Sequence, residues 1–271
     1  MLKQRVVTAA IGIPVIVLAI WFGDPWFSFL IAVVAVGGTF EFYRMGRGEG
    51  GNYPLIYFGL LWSLAIVLSP LSLHYQAINS LPMIMVIAIV ISLFLTLFHS
   101  PRERAFRNWA WIAAGVLCVG WMLSYWLNLR ILEDGRNWVY LAILTIFAND
   151  TGAFFIGREW GKHSLAPNIS PGKTWEGAIG GLVSAILGAI IVMAILNLIS
   201  PFALKYWQII LLGFLISLFA QLGDLVESLL KRNMGVKDSG KLLPGHGGIL
   251  DRFDSFIFVG PAVYYYIVLA L

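Results

Sequence analysis

The chain has 271 residues, 59% of them hydrophobic and 12% charged, with a mean hydropathy of +0.84. That balance excludes a water-soluble globular domain, because most of the surface could not be hydrated, and it points to an integral membrane protein. The net charge of +4 calls for no nucleic-acid partner, since cations facing an anionic inner leaflet account for it, and a single cysteine excludes an intramolecular disulfide.

A hydrocarbon core about 30 Å thick asks for about 20 apolar residues per helical crossing. Nine such runs follow one another: Val6–Phe22, Pro25–Met45, Tyr53–Leu73, Pro82–Phe98, Trp109–Leu127, Trp138–Ile156, Trp175–Ile199, Tyr206–Leu230 and Phe253–Leu271. The short alternating segments of a membrane barrel are absent. The predicted fold class is therefore all-α, a polytopic membrane protein with about nine transmembrane helices. The first run follows Lys3 and Arg5, but no small-x-small site succeeds it in WFGDPWF, so a retained helix is expected rather than a cleaved signal. Cys118, inside the fifth run, reads as a small buried hydrophobe.

The gaps between runs set the orientation. Alternate gaps hold Lys3, Arg5, Arg44, Arg47, Arg102, Arg104, Arg107, Arg158, Lys162, Lys173, Lys231, Arg232, Lys237, Lys241 and Arg252, fifteen cations in all. The opposite gaps hold three, Arg130, Arg136 and Lys205. The positive-inside rule then predicts a cytoplasmic N-terminus and a C-terminus outside. A compact chain of this kind points to a prokaryotic cytoplasmic membrane.

Acids divide the chain unequally. Through Asn108 the one acid predicted within a helix is Glu41, whereas the remainder carries Asp150, Glu176, Asp224 and Glu227 in or beside helices. Each costs about 2.5 to 3.5 kcal/mol near the bilayer centre, so a cluster of them implies function. Residues 1–108, four helices, are expected to act as scaffold or oligomer contacts. Residues 109–271 are expected to be catalytic, with cytoplasmic loops at 156–174 and 231–252.

The sixth run ends in NDTGAFFIGREWGKHSLAPNISPGKTWEGAIGG, residues 149–181. Asp150 stands at the helix end, Arg158, Lys162 and His163 follow in a Gly-punctuated loop, and Lys173 and Glu176 open the seventh run. GKT at 172–174 is not a P-loop, because Pro167 occupies the position of its first glycine and no strand precedes it.

In the eighth run, at 100° per residue, Ser217, Gln221, Asp224, Glu227, Ser228 and Lys231 fall within a stripe about 120° wide. Toward lipid that stripe would be prohibitive; toward protein it lines a polar cavity opening at the cytoplasmic end. A polar seam between helices would need only Ser and Gln. The ninth run opens with Asp251 and Asp254, three apart on one face, with Ser255 beside them. Together with one or two carboxylates from the end of the eighth run these acids make an oxygen-rich set suited to Mg²⁺, which commonly takes one or two carboxylates and leaves other positions to water and phosphate.

Cations interleave with these acids: the stretch KRNMGVKDSGKLLPGHGGILDRFDS, residues 231–255, holds five cations, three aspartates and a histidine. Acids alone could mark a cation pathway; acids among cations suggest a metal that carries phosphate. Gly247 and Gly248, in GHGG before a helix start, would let backbone N–H groups approach an anion. His246 is expected to hydrogen-bond phosphate or serve structure, since Mg²⁺ prefers oxygen.

The run Ser228-x-Leu230-Lys231-Arg232-x4-Lys237-Asp238-x-Gly240-x2-Leu243-Pro244-x-His246-Gly247-Gly248-Ile249-x-Asp251-Arg252-Phe253-Asp254 resembles the signature of the phosphatidate cytidylyltransferases, or CDP-diacylglycerol synthases, without departure. DTGAFFIGR and SPGKTWEG resemble that family's upstream block. The resemblance covers the C-terminal half.

It implies synthesis of CDP-diacylglycerol and pyrophosphate from CTP and phosphatidic acid in phospholipid biosynthesis, with Mg²⁺ and an additional monovalent cation such as K⁺, by a homodimer in a bacterial inner membrane or a eukaryotic organellar one. It further implies Asp224 and Asp251 as first metal ligands, with Asp254 and Asp150 as further partners. Lys173, Lys231, Arg232, Lys237 and Lys241 would neutralise phosphate, and Asp238, His246 and Arg252 join them as catalytic positions. Arg158, Ser228, Gly247 and Gly248 would bind substrate. Two rivals remain at this level: a cytidylyltransferase acting on an isoprenoid-chain lipid phosphate, which the helices cannot distinguish, and an ion-coupled transporter, against which the acids' concentration at one membrane face counts.

Overall fold

The computed structural model describes residues 2–46, 53–76, 78–200, 204–240, 242 and 247–271. Among these, nine helices occur: α1 (Leu2–Phe22), α2 (Trp26–Met45), α3 (Tyr53–Gln76), α4 (Leu81–His99), α5 (Ala105–Ile131), α6 (Gly135–Trp160), α7 (Trp175–Ile199), α8 (Tyr206–Asn233) and α9 (Leu250–Ala270). Each falls on one of the nine apolar runs. Eight are long and apolar enough to cross a membrane, and α1 contributes the shorter apolar stretch Ala10–Phe22. Helices suit this solvent because their backbone bonds close within the segment. The protein is an all-α polytopic membrane protein.

Two compact units divide the chain. The first comprises Met1–Ile131 and Met234–Phe253; the second comprises Leu132–Asn233 and Asp254–Leu271. The boundary thus falls within the first turn of α9.

In the first unit, small residues let large ones in. The Tyr43 hydroxyl donates to the Ile112 carbonyl at 2.8 Å, and a Cβ on Gly59 or Gly115 would overlap the Tyr43 side chain. Phe42 stacks on Trp111 with ring centroids 4.5 Å apart. Thr39 and Ser63 hydroxyls pair at 2.9 Å, so polar groups within the apolar bundle satisfy each other. Helix α5 contains a π-helical turn, Val116–Trp121. In α4 the buried positions are Ala88, Ser92 and Thr96, four apart, and Leu81, Ile84, Met85 and Ile89 beside them pack partly buried against Trp62, Ile66 and Val116. Ser92 Oγ accepts from the Trp109 indole at 2.9 Å.

In the second unit, α6 and α7 meet along a seam of small residues. A Cβ at Gly152, Gly180 or Gly181 would collide with Ser184, Ile156 or Asn149 respectively. Such close approach is how helices associate where lipid tails remove the hydrophobic drive.

The stretch between α6 and α7, expected as loop, differs in two ways. Helix α6 continues to Trp160, so Arg158 is helical. Beyond it β1 (Ser164–Ala166) and β2 (Ser170–Thr174) form an antiparallel hairpin. Its strands are three and five residues long and carry Pro171 and Gly172, too short and irregular for a periodic signal. At its end the Thr174 hydroxyl caps α7, accepting from Gly177 N at 3.1 Å.

Candidate functional site

In the second unit the polar stripe of α8 gathers three carboxylates. Asp224 and Glu227 of α8 and Asp254 of α9 each offer an oxygen, all within 4.8 Å of one another. The stripe predicts this for α8, since i and i+3 share a face. Asp254 arrives because Gly223 lets the α9 backbone come close: a Cβ there would lie 2.6 Å from the Asp254 carbonyl oxygen. Next to it Ser255 Oγ donates to the Ala220 carbonyl at 3.2 Å, tying α9 to α8. Ser255 N donates to Asp254 Oδ1 at 2.6 Å.

Two lysines face these acids. Lys173, at the end of β2, places Nζ 2.7 Å from Asp224 Oδ2. Lys231 donates to Glu227 Oε2 at 2.6 Å, an i, i+4 pair on α8. Ser228 Oγ reaches Asp224 Oδ1 at 3.5 Å, the outer limit of a hydrogen bond. Asp150 of α6 interacts electrostatically with Asp224, Lys173 and Asp254.

A buried polar ladder adjoins the acids. Asn149, 1% exposed, donates to Asp150 Oδ1 at 3.0 Å and accepts from Ser217 Oγ at 2.7 Å. Gln221 donates to Asn149 Oδ1 at 3.3 Å, to Ser217 Oγ at 2.9 Å and to the Ala178 carbonyl at 3.1 Å. Groups from three helices thereby fix Asn149, which donates to the Asp150 carboxylate.

The hairpin carrying Lys173 has its own anchors. The Glu176 carboxylate accepts from Lys162 N and His163 N at 3.1 and 3.2 Å, and pairs with His163 Nδ1 at 2.6 Å. Arg232 Nε donates to the Ile169 carbonyl at 3.2 Å. Arg232, expected to meet phosphate, thus also grips the hairpin tip. Arg158 is exposed.

The first unit holds the other signature residues. Ser239 N donates to both Asp251 carboxylate oxygens, at 3.2 and 3.0 Å, and Gly248 N donates to Asp251 Oδ2 at 2.9 Å. Gly247 has φ +87°, a backbone conformation that favours glycine. A cavity of about 380 Å³ is lined by Glu41, Arg44, Lys237, Asp238 and Ser239 among others. Lys237, Asp238 and Arg252 are exposed. Lys241 and His246 lie outside the described residues.

Three participants were not among the expected site residues. Glu227 stood on the predicted stripe but not among the expected metal ligands; its clustering depends on where α9 lies. Glu41 is isolated in sequence and its partner Ser239 is 198 residues away, while Asn149 adjoins Asp150 but meets Ser217 across 68 residues. The insertion cost of a lone acid in α2 was the one available signal for Glu41.

The donor set is chemically apt for a divalent ion. Three carboxylates within reach of one another supply hard oxygen ligands, with lysines at hand to meet phosphate.

Comparison with known proteins gives concordant results. A family model described as "Cytidylyltransferase family" matches residues 3–270. A phosphatidate cytidylyltransferase from Bacillus subtilis (strain 168) is 35% identical over 271 residues, covering 99% of this chain and 98% of that protein. One from Staphylococcus haemolyticus (strain JCSC1435) is 36% identical over 263 residues, covering 96% of each chain. One from Staphylococcus saprophyticus is 35% identical over 264 residues, again 96% of each.

Proposed function

The chain belongs to the cytidylyltransferase family, and from that membership we propose that it is the enzyme converting CTP and phosphatidate to CDP-diacylglycerol and pyrophosphate. The observation that carries the site assignment is the cluster of Asp224, Glu227 and Asp254 with Lys173 against it. In the reaction a phosphatidate phosphate oxygen bonds to the α-phosphorus of CTP. The bond from that phosphorus to the oxygen bridging toward the β-phosphate breaks, and pyrophosphate departs. A phosphate monoester is already largely dianionic near pH 7, so the attacking oxygen needs no dedicated base.

Family membership implies a divalent-metal requirement, and Mg²⁺ is the cation we propose, held by Asp224, Glu227 and Asp254. Bound there it would neutralise phosphate charge. Lys173 and Lys231 hold positive charge beside the acids and would meet the phosphate oxygens, which makes positioning and charge neutralisation the protein's main contribution. Asn149 orients Asp150, which we assign as a further oxygen donor. Asp251, carried by the signature, is proposed as a metal ligand too. Lys237, Lys241, Arg232, Arg158 and His246 are proposed to neutralise or bind phosphate, with Ser228, Gly247 and Gly248 contacting substrate. A monovalent cation such as K⁺ and a homodimer complete the proposal.

This is an integral membrane protein with bacterial relatives. The fifteen-to-three distribution of cations supports a cytoplasmic site and N-terminus in a bacterial inner membrane.

The test is incorporation of labelled CTP into lipid by the purified protein, with phosphatidic acid or an isoprenoid-chain lipid phosphate, with and without Mg²⁺. Label in CDP-diacylglycerol only with phosphatidic acid and Mg²⁺ is expected. Preference for the isoprenoid lipid, or no incorporation, would overturn the assignment.

A further inference from the structure

Glu41 is 1% exposed in α2, a helix otherwise suited to lipid and apolar neighbours. Burying a carboxylate there is costly, and a purely structural helix contact would not require one. Its Oε2 accepts from Ser239 Oγ at 3.0 Å and from Leu250 N at 2.9 Å. Ser239 in turn accepts from Asp251 N at 3.3 Å through Oγ, while Ser239 N donates to both Asp251 carboxylate oxygens. A chain of hydrogen bonds therefore runs from Glu41 through Ser239 to Asp251, entirely within the first unit.

The surrounding glycines are where this chain needs them. A Cβ at Gly240 would overlap the Glu41 carboxylate, and one at Gly248 would overlap both Ser239 Oγ and Glu41 Oε2. On α2 itself, a Cβ at Gly37 would run into the Ile249 side chain. Glycines on both sides let the segment's backbone come within hydrogen-bonding distance of an acid in the helix.

We infer that Glu41 is a positioning residue: through Ser239 and Leu250 N it fixes Ser239 against the start of α9 so that the Asp251 carboxylate keeps one orientation. The inference rests on the reading of Asp251 as a residue of cytidylyl transfer. It gives the N-terminal part of the chain an indirect role in that reaction, exerted through the orientation of Asp251. The two hydrogen bonds that Oε2 accepts from Ser239 and Leu250 N offset part of the cost of burying the acid.

The experiment compares Glu41→Ala, Glu41→Gln and Ser239→Ala with the wild type in detergent. Amide hydrogen exchange is followed over residues 236–251, and the Mg²⁺ concentration for half-maximal CDP-diacylglycerol formation is measured. Glu41→Ala should speed exchange at Ser239 and Leu250 about tenfold and raise the Mg²⁺ requirement about tenfold. Glu41→Gln, which keeps an acceptor oxygen, should stay within about threefold of wild type, and Ser239→Ala should follow Glu41→Ala in direction.

Unchanged exchange and an unchanged Mg²⁺ requirement in Glu41→Ala would overturn the inference. Should that variant fail to fold, wild-type exchange and Mg²⁺ requirement in Ser239→Ala would do the same. If the wild type forms no CDP-diacylglycerol, the functional reading falls, while the exchange measurements still decide whether Glu41 holds the segment.

Discussion

Lys173 Nζ and Asp224 Oδ2 lie 2.7 Å apart, joining the end of a short β-hairpin to the acidic stripe of α8. The pair is partly buried, its side chains 25% and 42% exposed, so it remains reachable by a ligand. It also defines a competition: any cation on Asp224 and any phosphate on Lys173 must divide this pair between them. Replacing Lys173 by Met, which keeps the stem and removes the charge, should lower kcat/KM for CTP about a hundredfold, the usual scale for losing one preorganised charge at a phosphate or oxyanion. Steady-state kinetics check this; turnover near wild type would remove Lys173 from the phosphate site.

Asp224→Asn should reduce CDP-diacylglycerol formation about a hundredfold or more while leaving the protein expressed and inserted, because an amide oxygen is a poor substitute for a ligating carboxylate. Glu227→Gln should act in the same direction, which separates the site proposed here from one built on Asp224 alone. Product analysis by thin-layer chromatography reads both.

Chelation gives an independent measurement. Excess EDTA should abolish turnover, and added Mg²⁺ should restore it, with Ca²⁺ a poor replacement because it favours more ligands at longer distances. Activity that persists after chelation would show that the acids serve a different purpose.

Asn149→Leu is nearly isosteric but removes the hub on which Ser217, Gln221 and Asp150 meet. The buried donors it leaves unmet should cost about 1 to 3 kcal/mol. A lower apparent Tm in detergent, accompanied by slower turnover through the released Asp150, is the expected result.

Lys205→Ala provides the control. Lys205 follows α7 in a gap assigned to the opposite membrane face, where its N–H is held by Gln208 Oε1 at 2.8 Å. Activity within about twofold of wild type is expected, as for a surface change away from any special contact.

Composition and hydropathy were sufficient to specify the nine helices found among the described residues, because each helix satisfies its own backbone and needs only a local apolar run to do so. The stripe on α8 was equally legible, since Asp224, Glu227, Ser228 and Lys231 share one face by their spacing alone. Asp254 was legible as an acid but not as the third member of a set with Asp224 and Glu227. That depends on Gly223 admitting the α9 backbone, a contact between segments thirty-one residues apart in sequence.

What the chain determines locally is therefore the list of helices, the family signature and most of the charged residues proposed for the site, all of which depend on period or spacing. What tertiary structure decided is which acids share a cation-sized space, that a hairpin carries Lys173 to Asp224, and that an isolated glutamate in α2 holds Ser239 and Leu250. Those outcomes require groups up to 209 residues apart, the Leu250 backbone N–H and the Glu41 carboxylate, to meet within hydrogen-bonding range. No local periodicity encodes such a meeting, because it arises from the packing of whole helices.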